Sequence, residues 1–179
     1  MNILLLGLRG AGKSTIAPRL ARATARAFID LDDVTAMACD APTAGQALAL
    51  RGEPAFRDAE SCALRVVLAG KAQVIALGGG TPTYPPSARL IRDARAARHA
   101  RTLYLHASPA RLRDRLQRAG VGDRPSLTGA GVLEEIPALY AARDPLYREL
   151  ADAVIDTDDL SDDQALARAL DACADAPRL

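Results

Sequence analysis

The chain has 179 residues, 49% of them apolar, and a formal net charge of +1. This length suits a single globular domain spanning residues 1–179, and the balanced charge argues against a nucleic-acid partner. The apolar runs are too short for a transmembrane helix, so we expect no membrane partner.

The three cysteines are scattered along the chain without the spacing of a metal site, which favours free thiols in a reducing compartment. An apolar strand pattern begins at Ile3 and leaves no room for a signal peptide. We therefore expect a cytoplasmic protein. Nothing in the sequence indicates a large self-association surface, so we also expect a monomer.

Short apolar runs alternate with longer helical patterns along the whole chain. Five strands are predicted, at 3–6, 27–29, 74–77, 102–105 and 153–155. Helices are predicted at about 13–25, 33–50, 53–69, 86–98, 108–118, 132–147 and 161–174. Such alternation is typical of an α/β fold with three layers, in which helices cover a central five-stranded parallel sheet buried on both faces.

The first strand runs directly into Gly-Leu-Arg-Gly-Ala-Gly-Lys-Ser at residues 7–14, a phosphate-binding loop (P-loop) pattern. Its glycines let backbone N–H groups turn inward around a phosphate, while Lys13 supplies a mobile positive charge and Ser14 a hydroxyl suited to Mg²⁺. The alternative is a glycine-rich turn with an incidental lysine. Lys13 and Lys71 are the only lysines in an arginine-rich chain, which favours the nucleotide site.

The second strand leads into Asp30 and Asp32, which we expect on one side of the strand end beside the P-loop. Two carboxylates there could bind Mg²⁺ through water and position an acceptor hydroxyl. The alternative is that Asp32 or Asp33 caps the following helix.

Two further features point to a small-molecule site. Gly78, Gly79 and Gly80 end the third strand, where bare backbone can approach a ligand closely. Arg57 lies three residues before Glu60 on one predicted helix face, so the carboxylate can aim the guanidinium.

A glycine-rich segment at about 119–131 interrupts the helical pattern and contains Arg124. Loops of this length in compact domains are usually functional or disordered. We predict a mobile lid that carries Arg124 toward the nucleotide.

The motifs resemble the shikimate kinase family in order and spacing over nearly the whole chain. They are Gly10-Ala11-Gly12-Lys13-Ser14-Thr15, Phe28-Ile29-Asp30-Leu31-Asp32, Gly52-Glu53 with Phe56-Arg57, Gly78-Gly79-Gly80, Arg124-Pro125, Arg143 with Pro145-Leu146-Tyr147, and Asp156-Thr157.

The resemblance implies transfer of the ATP γ-phosphoryl group to the 3-hydroxyl of shikimate, with Mg²⁺ as cofactor. Residues 10–15 and Arg115 would bind the nucleotide, Ser14 the metal directly and Asp30 the metal through water. Asp32 would hold the acceptor hydroxyl and take its proton. Arg57, Arg143 and the backbone at 78–80 would bind the acid, within substrate-binding helices at about 33–60, and Arg124 would close on the phosphates.

Two other functions remain open. Another small-molecule kinase of this fold, such as a gluconate kinase, would also need arginines for a carboxylate. A nucleotide-binding module without catalysis would have no need to keep Lys13, Asp32 and Arg124 together. Several members of the resembled family have Phe at the position of Leu48, so we expect a roomier pocket wall here.

Overall fold

The computed structural model describes residues 1–119 and 131–174. The strands are β1 (Asn2–Leu6), β2 (Ala27–Asp30), β3 (Gln73–Ala76), β4 (Ala100–His106) and β5 (Ala153–Asp156). The helices are α1 (Lys13–Ala23), α2 (Leu31–Ala38), α3 (Ala44–Arg51), α4 (Glu53–Ala69), α5 (Pro85–Ala96), α6 (Pro109–Ala119), α7 (Ile136–Leu150) and α8 (Asp162–Ala174). A short 3-10 helix, Thr81–Thr83, precedes α5.

The five strands form one parallel sheet in the order β2-β3-β1-β4-β5, which confirms the predicted sheet. All of β1 is buried at the centre, which explains its uninterrupted apolar sequence. The prediction that every strand is buried on both faces is wrong for the two edge strands. Phe28 in β2 and Val154 in β5 are 40% and 42% exposed, because each edge strand has a neighbour on one side only.

Helices cover the sheet and form the outer layers of the predicted three-layer architecture. Helices α1 and α8 pack against each other, whereas α5 and α7 pack together and against β4. In the part of the chain that the structure describes, no helix combines the length and the apolar character needed to cross a membrane. Because all strands run in parallel, their carboxyl ends meet at one edge, where this fold places its ligands.

The single helix predicted at 33–50 is wrong, because two helices, α2 and α3, occupy this stretch. Asp40 between them has a φ of 53°, a left-handed conformation that no α-helix continues through. Pro42 follows, and the Thr43 side chain accepts a hydrogen bond from the Gln46 N–H at 3.2 Å to cap α3. The break turns α3 over the carboxyl edge of the sheet.

Helix α7 begins later and ends later than the predicted 132–147. It continues through Pro145 to Leu150, although proline removes a backbone hydrogen bond. Tyr147 and Leu150 beyond this proline are fully buried, and their packing offsets the lost bond. Arg143 consequently lies in the middle of a helix and not near its end. Arg124 and the predicted lid between Ala119 and Gly131 lie outside the described residues.

Candidate active site

The P-loop connects β1 to α1 and has the conformation that its glycines predict. Gly12, the residue before α1, has a φ of 95° and no heavy atom within 4 Å of a hypothetical Cβ. Glycine is therefore required here for its conformation and not for space. The Lys13 ammonium donates hydrogen bonds to the carbonyl oxygens of Gly7 at 2.7 Å and Leu8 at 3.1 Å. These contacts tie the lysine to the loop that it follows.

The P-loop lines a cavity at the carboxyl edge of the sheet, which we call the loop cavity. Its wall brings together the predicted nucleotide and metal residues Gly10, Ala11, Gly12, Lys13, Ser14, Thr15, Asp30 and Arg115. The Arg115 guanidinium, from α6, donates to the Thr157 hydroxyl at 3.0 Å and the Thr157 carbonyl at 2.6 Å. A weaker contact reaches the Gly10 carbonyl at 3.4 Å. Arg115 is thus fixed against the P-loop.

Asp30 and Asp32 both line the loop cavity, but not as two residues of one strand. Strand β2 ends at Asp30, whose Oδ1 accepts a hydrogen bond from the Asp32 N–H at 2.9 Å and caps α2. Asp32 therefore lies in the first helical turn, and the prediction of a shared strand side is wrong. The alternative that Asp32 or Asp33 caps the helix is wrong as well, since Asp30 does so.

The oxygen ligands of the loop cavity suit a partial Mg²⁺ site. Over the residues that the structure describes, no group of three or more His, Cys, Asp or Glu side chains could enclose a metal. The Ser14 hydroxyl and the Asp30 carboxylate nonetheless lie in the same cavity. Magnesium commonly takes only one or two protein oxygens and completes its octahedron with phosphates and water. The two residues fit that pattern.

A second cavity adjoins the first, and we call it the arginine cavity. It contains the predicted acid-binding residues Arg57, Gly80 and Arg143. Leu48 lies in its wall, at the position where the sequence predicts extra room. Six residues line both cavities, namely Arg9, Asp32, Ala44, Gly45, Gly78 and Gly79. Asp32 therefore lies where a ligand in one cavity would meet a ligand in the other.

Arg57 is held in the arginine cavity by a buried carboxylate, as the three-residue spacing predicts. Its Nη1 donates to Glu60 Oε2 at 2.9 Å, and Glu60 is 1% exposed. The other carboxylate oxygen of Glu60 accepts from the Thr81 hydroxyl at 2.7 Å. Glu53 adds a longer contact of 3.6 Å from the solvent side. The prediction that Glu60 aims Arg57 is confirmed.

The three glycines after β3 differ in how closely other atoms surround them. A Cβ at Gly80 would lie 2.6 Å from the Arg57 guanidinium carbon. A Cβ at Gly78 would lie 2.7 Å from Asp32 Oδ1 and 2.8 Å from Glu60 Oε1. At Gly79 the nearest atom would be 3.6 Å away, which is ordinary contact. Gly78 and Gly80 thus make space for side chains of the site, whereas Gly79 does not need to.

The sequence assigned no role at the site to two residues of this region, Arg9 and Tyr147. Arg9 lines both cavities, and burial lowers the pKa of its guanidinium while the Glu135 carboxylate works in the opposite direction. Its position inside the P-loop was a usable signal, hidden by the abundance of arginine. Tyr147 donates a hydrogen bond to the Gly79 carbonyl oxygen from 68 positions away, and no local pattern could have paired them.

Comparisons with known proteins agree on one family. The family model described as "Shikimate kinase" matches residues 9–174. A protein named shikimate kinase 2 from Yersinia pestis (strain Pestoides F) is 38% identical over 156 residues, covering 87% of this chain and 86% of its own. A shikimate kinase from Limosilactobacillus fermentum is 37% identical over 161 residues, covering 90% of this chain and 88% of its own.

Solved structures give the same result at the level of the fold. The shikimate kinase from Acinetobacter baumannii in complex with shikimate superposes with a TM-score of 0.85 at 29% identity. This match covers 99% of the present chain and 95% of the other. The shikimate kinase from Bacteroides thetaiotaomicron gives a TM-score of 0.83 at 28% identity, with 97% and 98% covered.

Proposed function

The chain belongs to the shikimate kinase family, and we propose that it transfers the γ-phosphoryl group of ATP to the 3-hydroxyl of shikimate, giving shikimate 3-phosphate and ADP. One observation carries this proposal. A P-loop cavity with Lys13 shares Asp32 with a cavity in which Arg57 and Arg143 meet. The first suits a nucleoside triphosphate and the second a small carboxylic acid.

The nucleotide would occupy the loop cavity. Backbone N–H groups of residues 10–15 would surround the outer phosphates at the start of α1, where the helix dipole adds attraction. Lys13 would contribute the positive charge closest to the transferred group. Arg115, fixed by Thr157, would lie along the adenine.

Ser14 and Asp30 would hold Mg²⁺, Ser14 directly and Asp30 through water. When bound, the ion neutralises phosphate charge that builds up during transfer. Asp30 is suited to an indirect contact because one of its oxygens already accepts the Asp32 N–H at the start of α2. A contact through water would leave that helix cap undisturbed.

The acid would occupy the arginine cavity, with its carboxylate bound by Arg57 and Arg143. Charge-assisted hydrogen bonds from a guanidinium to a carboxylate are strong and directional. The backbone of Gly78, Gly79 and Gly80 would supply further contacts to the same ligand. Arg143 is already oriented in the cavity, since its Nη1 donates to the Gly79 carbonyl oxygen at 2.9 Å.

Asp32 would connect the two cavities chemically. Its carboxylate would accept the hydrogen bond of the acceptor hydroxyl and take its proton as the hydroxyl oxygen forms its bond to the γ-phosphorus. The bond from that phosphorus to the β,γ-bridging oxygen would break in the same transfer, leaving ADP. We also propose that the protein acts as a single-domain monomer in the cytoplasm, in the route to aromatic amino acids. The role of Arg124 stays a prediction.

A parallel assay of ATP consumption with shikimate, quinate and gluconate tests the proposed substrate. We expect turnover with shikimate to exceed turnover with the other two acids. Gluconate is linear and would not match the arrangement of Asp32, Arg57 and Arg143, and quinate is cyclic but carries an extra hydroxyl on the carbon that bears its carboxylate. Preferred turnover of gluconate would identify a different kinase. ATP binding without turnover of any acid would indicate a nucleotide-binding module.

A further inference from the structure

The carbonyl oxygen of Gly79 is held by two side chains of the same helix. It accepts hydrogen bonds from Arg143 Nη1 at 2.9 Å and from the Tyr147 hydroxyl, both in α7. A carbonyl oxygen has two lone pairs, so both acceptor positions are used. The direction of this carbonyl is therefore set by α7 and not by the strand that precedes it.

Fixing the Gly79 carbonyl also fixes the N–H of Gly80. The peptide group is planar and trans, so the N–H points away from the two donors on α7. The Gly80 carbonyl is held in turn by the Thr83 N–H at 3.0 Å and the Thr83 hydroxyl at 2.7 Å. Within the described residues, 1–119 and 131–174, neither the Gly79 N–H nor the Gly80 N–H donates a hydrogen bond to a protein group. Both glycines line the arginine cavity, so these donors are set in place for a ligand.

Tyr147 reaches Gly79 from inside the protein and cannot touch a ligand itself. It is 0% exposed, and its ring packs edge-on against Tyr104 with 5.3 Å between centroids. Tyr104 is anchored through its own hydroxyl, which donates to Asp144 at 2.9 Å. Burial raises the pKa of Tyr147 to about 12, although the nearby Arg143 and Arg57 oppose the rise. The hydroxyl therefore remains a donor at neutral pH.

We propose that Tyr147 is a positioning residue for recognition of the acid: its hydroxyl holds the Gly79–Gly80 peptide and thereby fixes the Gly80 N–H as a donor in the arginine cavity. This inference rests on the proposed function, in which that ligand is shikimate. Arg143 and Tyr147 share one acceptor, so removing either donor changes the restraint on the other.

Tyr147→Phe removes only the hydroxyl, and Tyr104→Phe is a matched control. Both tyrosines are buried, and each gives one hydroxyl hydrogen bond, but only Tyr147 bonds to Gly79. We expect Tyr147→Phe to raise the KM for shikimate roughly fivefold, which corresponds to about 1 kcal/mol, the usual net worth of a neutral hydrogen bond. The KM for ATP and kcat should change less than twofold. Tyr104→Phe should leave all three near wild type.

An equal KM for shikimate in wild type and Tyr147→Phe, or an equal rise in both variants, would overturn the inference. A second measurement needs no substrate, namely the NMR order parameter of the Gly80 amide in the ligand-free protein, which reports how firmly the Gly79–Gly80 peptide is held. We expect a lower order parameter in Tyr147→Phe than in Tyr104→Phe, and equal values would again overturn the positioning role. If the wild type does not phosphorylate shikimate, the proposed function fails and the order parameter still decides whether Tyr147 holds this peptide.

Discussion

The two cavities of the site are built in different ways. The loop cavity depends mainly on one continuous stretch, residues 7–15, whose backbone conformation supplies most of its chemistry. The arginine cavity is assembled from residues on separate elements, among them α2, α3, α4, α6 and α7, and its Arg57 and Arg143 each have a hydrogen-bond partner in the protein. Glu60 holds Arg57, and the Gly79 carbonyl holds Arg143. A backbone site is therefore encoded locally, whereas a side-chain site depends on packing between distant elements.

The largest expected effect tests the loop cavity. Lys13→Ala removes the point charge from the transferred phosphoryl group, and we expect kcat to fall on the order of 10²–10³-fold, as for loss of one transition-state donor. Lys71→Ala, the other lysine and an exposed one, is the control and should keep wild-type turnover. Near-normal kcat in Lys13→Ala, measured with saturating ATP and shikimate, would mean that the loop does not hold the reacting nucleotide.

The next effect tests the arginine cavity. Arg57→Ala or Arg143→Ala removes a charge-assisted contact worth about 1.5–3 kcal/mol, so the KM for shikimate should rise roughly 10–100-fold. The KM for ATP should hardly change, because the two side chains line only the arginine cavity. Arg89→Ala, at a side chain 83% exposed, is a control. A rise in the KM for ATP in place of shikimate would move these arginines to the nucleotide site.

A smaller effect tests whether the absence of a side chain at Gly80 is needed to leave room for Arg57. A methyl group at Gly80 would collide with the end of the flexible Arg57 side chain, whereas one at Gly79 would meet only ordinary contacts. We expect Gly80→Ala to displace Arg57 and raise the KM for shikimate roughly fivefold, on the scale of one lost hydrogen bond. Gly79→Ala should stay within twofold. Steady-state kinetics checks both variants, and a reversed order would show that the crowding at Gly80 does not govern acid binding.

The smallest effect concerns Asp144, which lines neither cavity. Burial alone would raise the pKa of Asp144, but hydrogen bonds from Arg148 and Tyr104 hold this pKa below its usual value. A carboxyl group with a lowered folded pKa stabilises the protein above its unfolded pKa of about 3.9, and that contribution is lost as the pH falls through the folded pKa.

The matching variant is Asp144→Asn. Its Tm should lie below that of wild type at pH 7, and the gap should shrink as the pH falls below about 4. Asp93→Asn removes an exposed partner of Arg89 and is expected to shift Tm little at either pH. A constant gap between wild type and Asp144→Asn across this range would contradict the charge-based support.

The contrast between the cavities also explains what the sequence could predict. The P-loop was recognisable because its glycines, Lys13 and Ser14 are adjacent, and the pairing of Arg57 with Glu60 because three residues separate them. Asp32 was misplaced because the start of α2 at Leu31 becomes evident only when the contact between Asp30 and the Asp32 N–H is known. The break before α3 had signals in the sequence, since Pro42 disfavours a continuous helix and Thr43 is a favoured cap three residues before Gln46. Only the left-handed conformation of Asp40 needed the structure.

The hydrogen bond between Tyr147 and Gly79 could not be predicted either, since it exists only once α7 lies against the segment that follows β3. Periodicity placed both elements but carried no information about their contact. Family resemblance marked Arg143 and the glycines as ligand contacts, yet it did not indicate what holds them in place. Contacts that hold a ligand-binding group in place can be recognised only in the three-dimensional structure.

The two cavities share part of their wall, so we expect binding of their ligands to be coupled. Asp32, Gly78 and Gly79 border both cavities, and a ligand in one cavity would restrict residues that the other ligand also contacts. The second ligand would then meet a smaller entropy cost and bind more tightly. Thermodynamic linkage makes the gain mutual: whatever factor the nucleotide adds to the affinity for the acid, the acid must add to the affinity for the nucleotide.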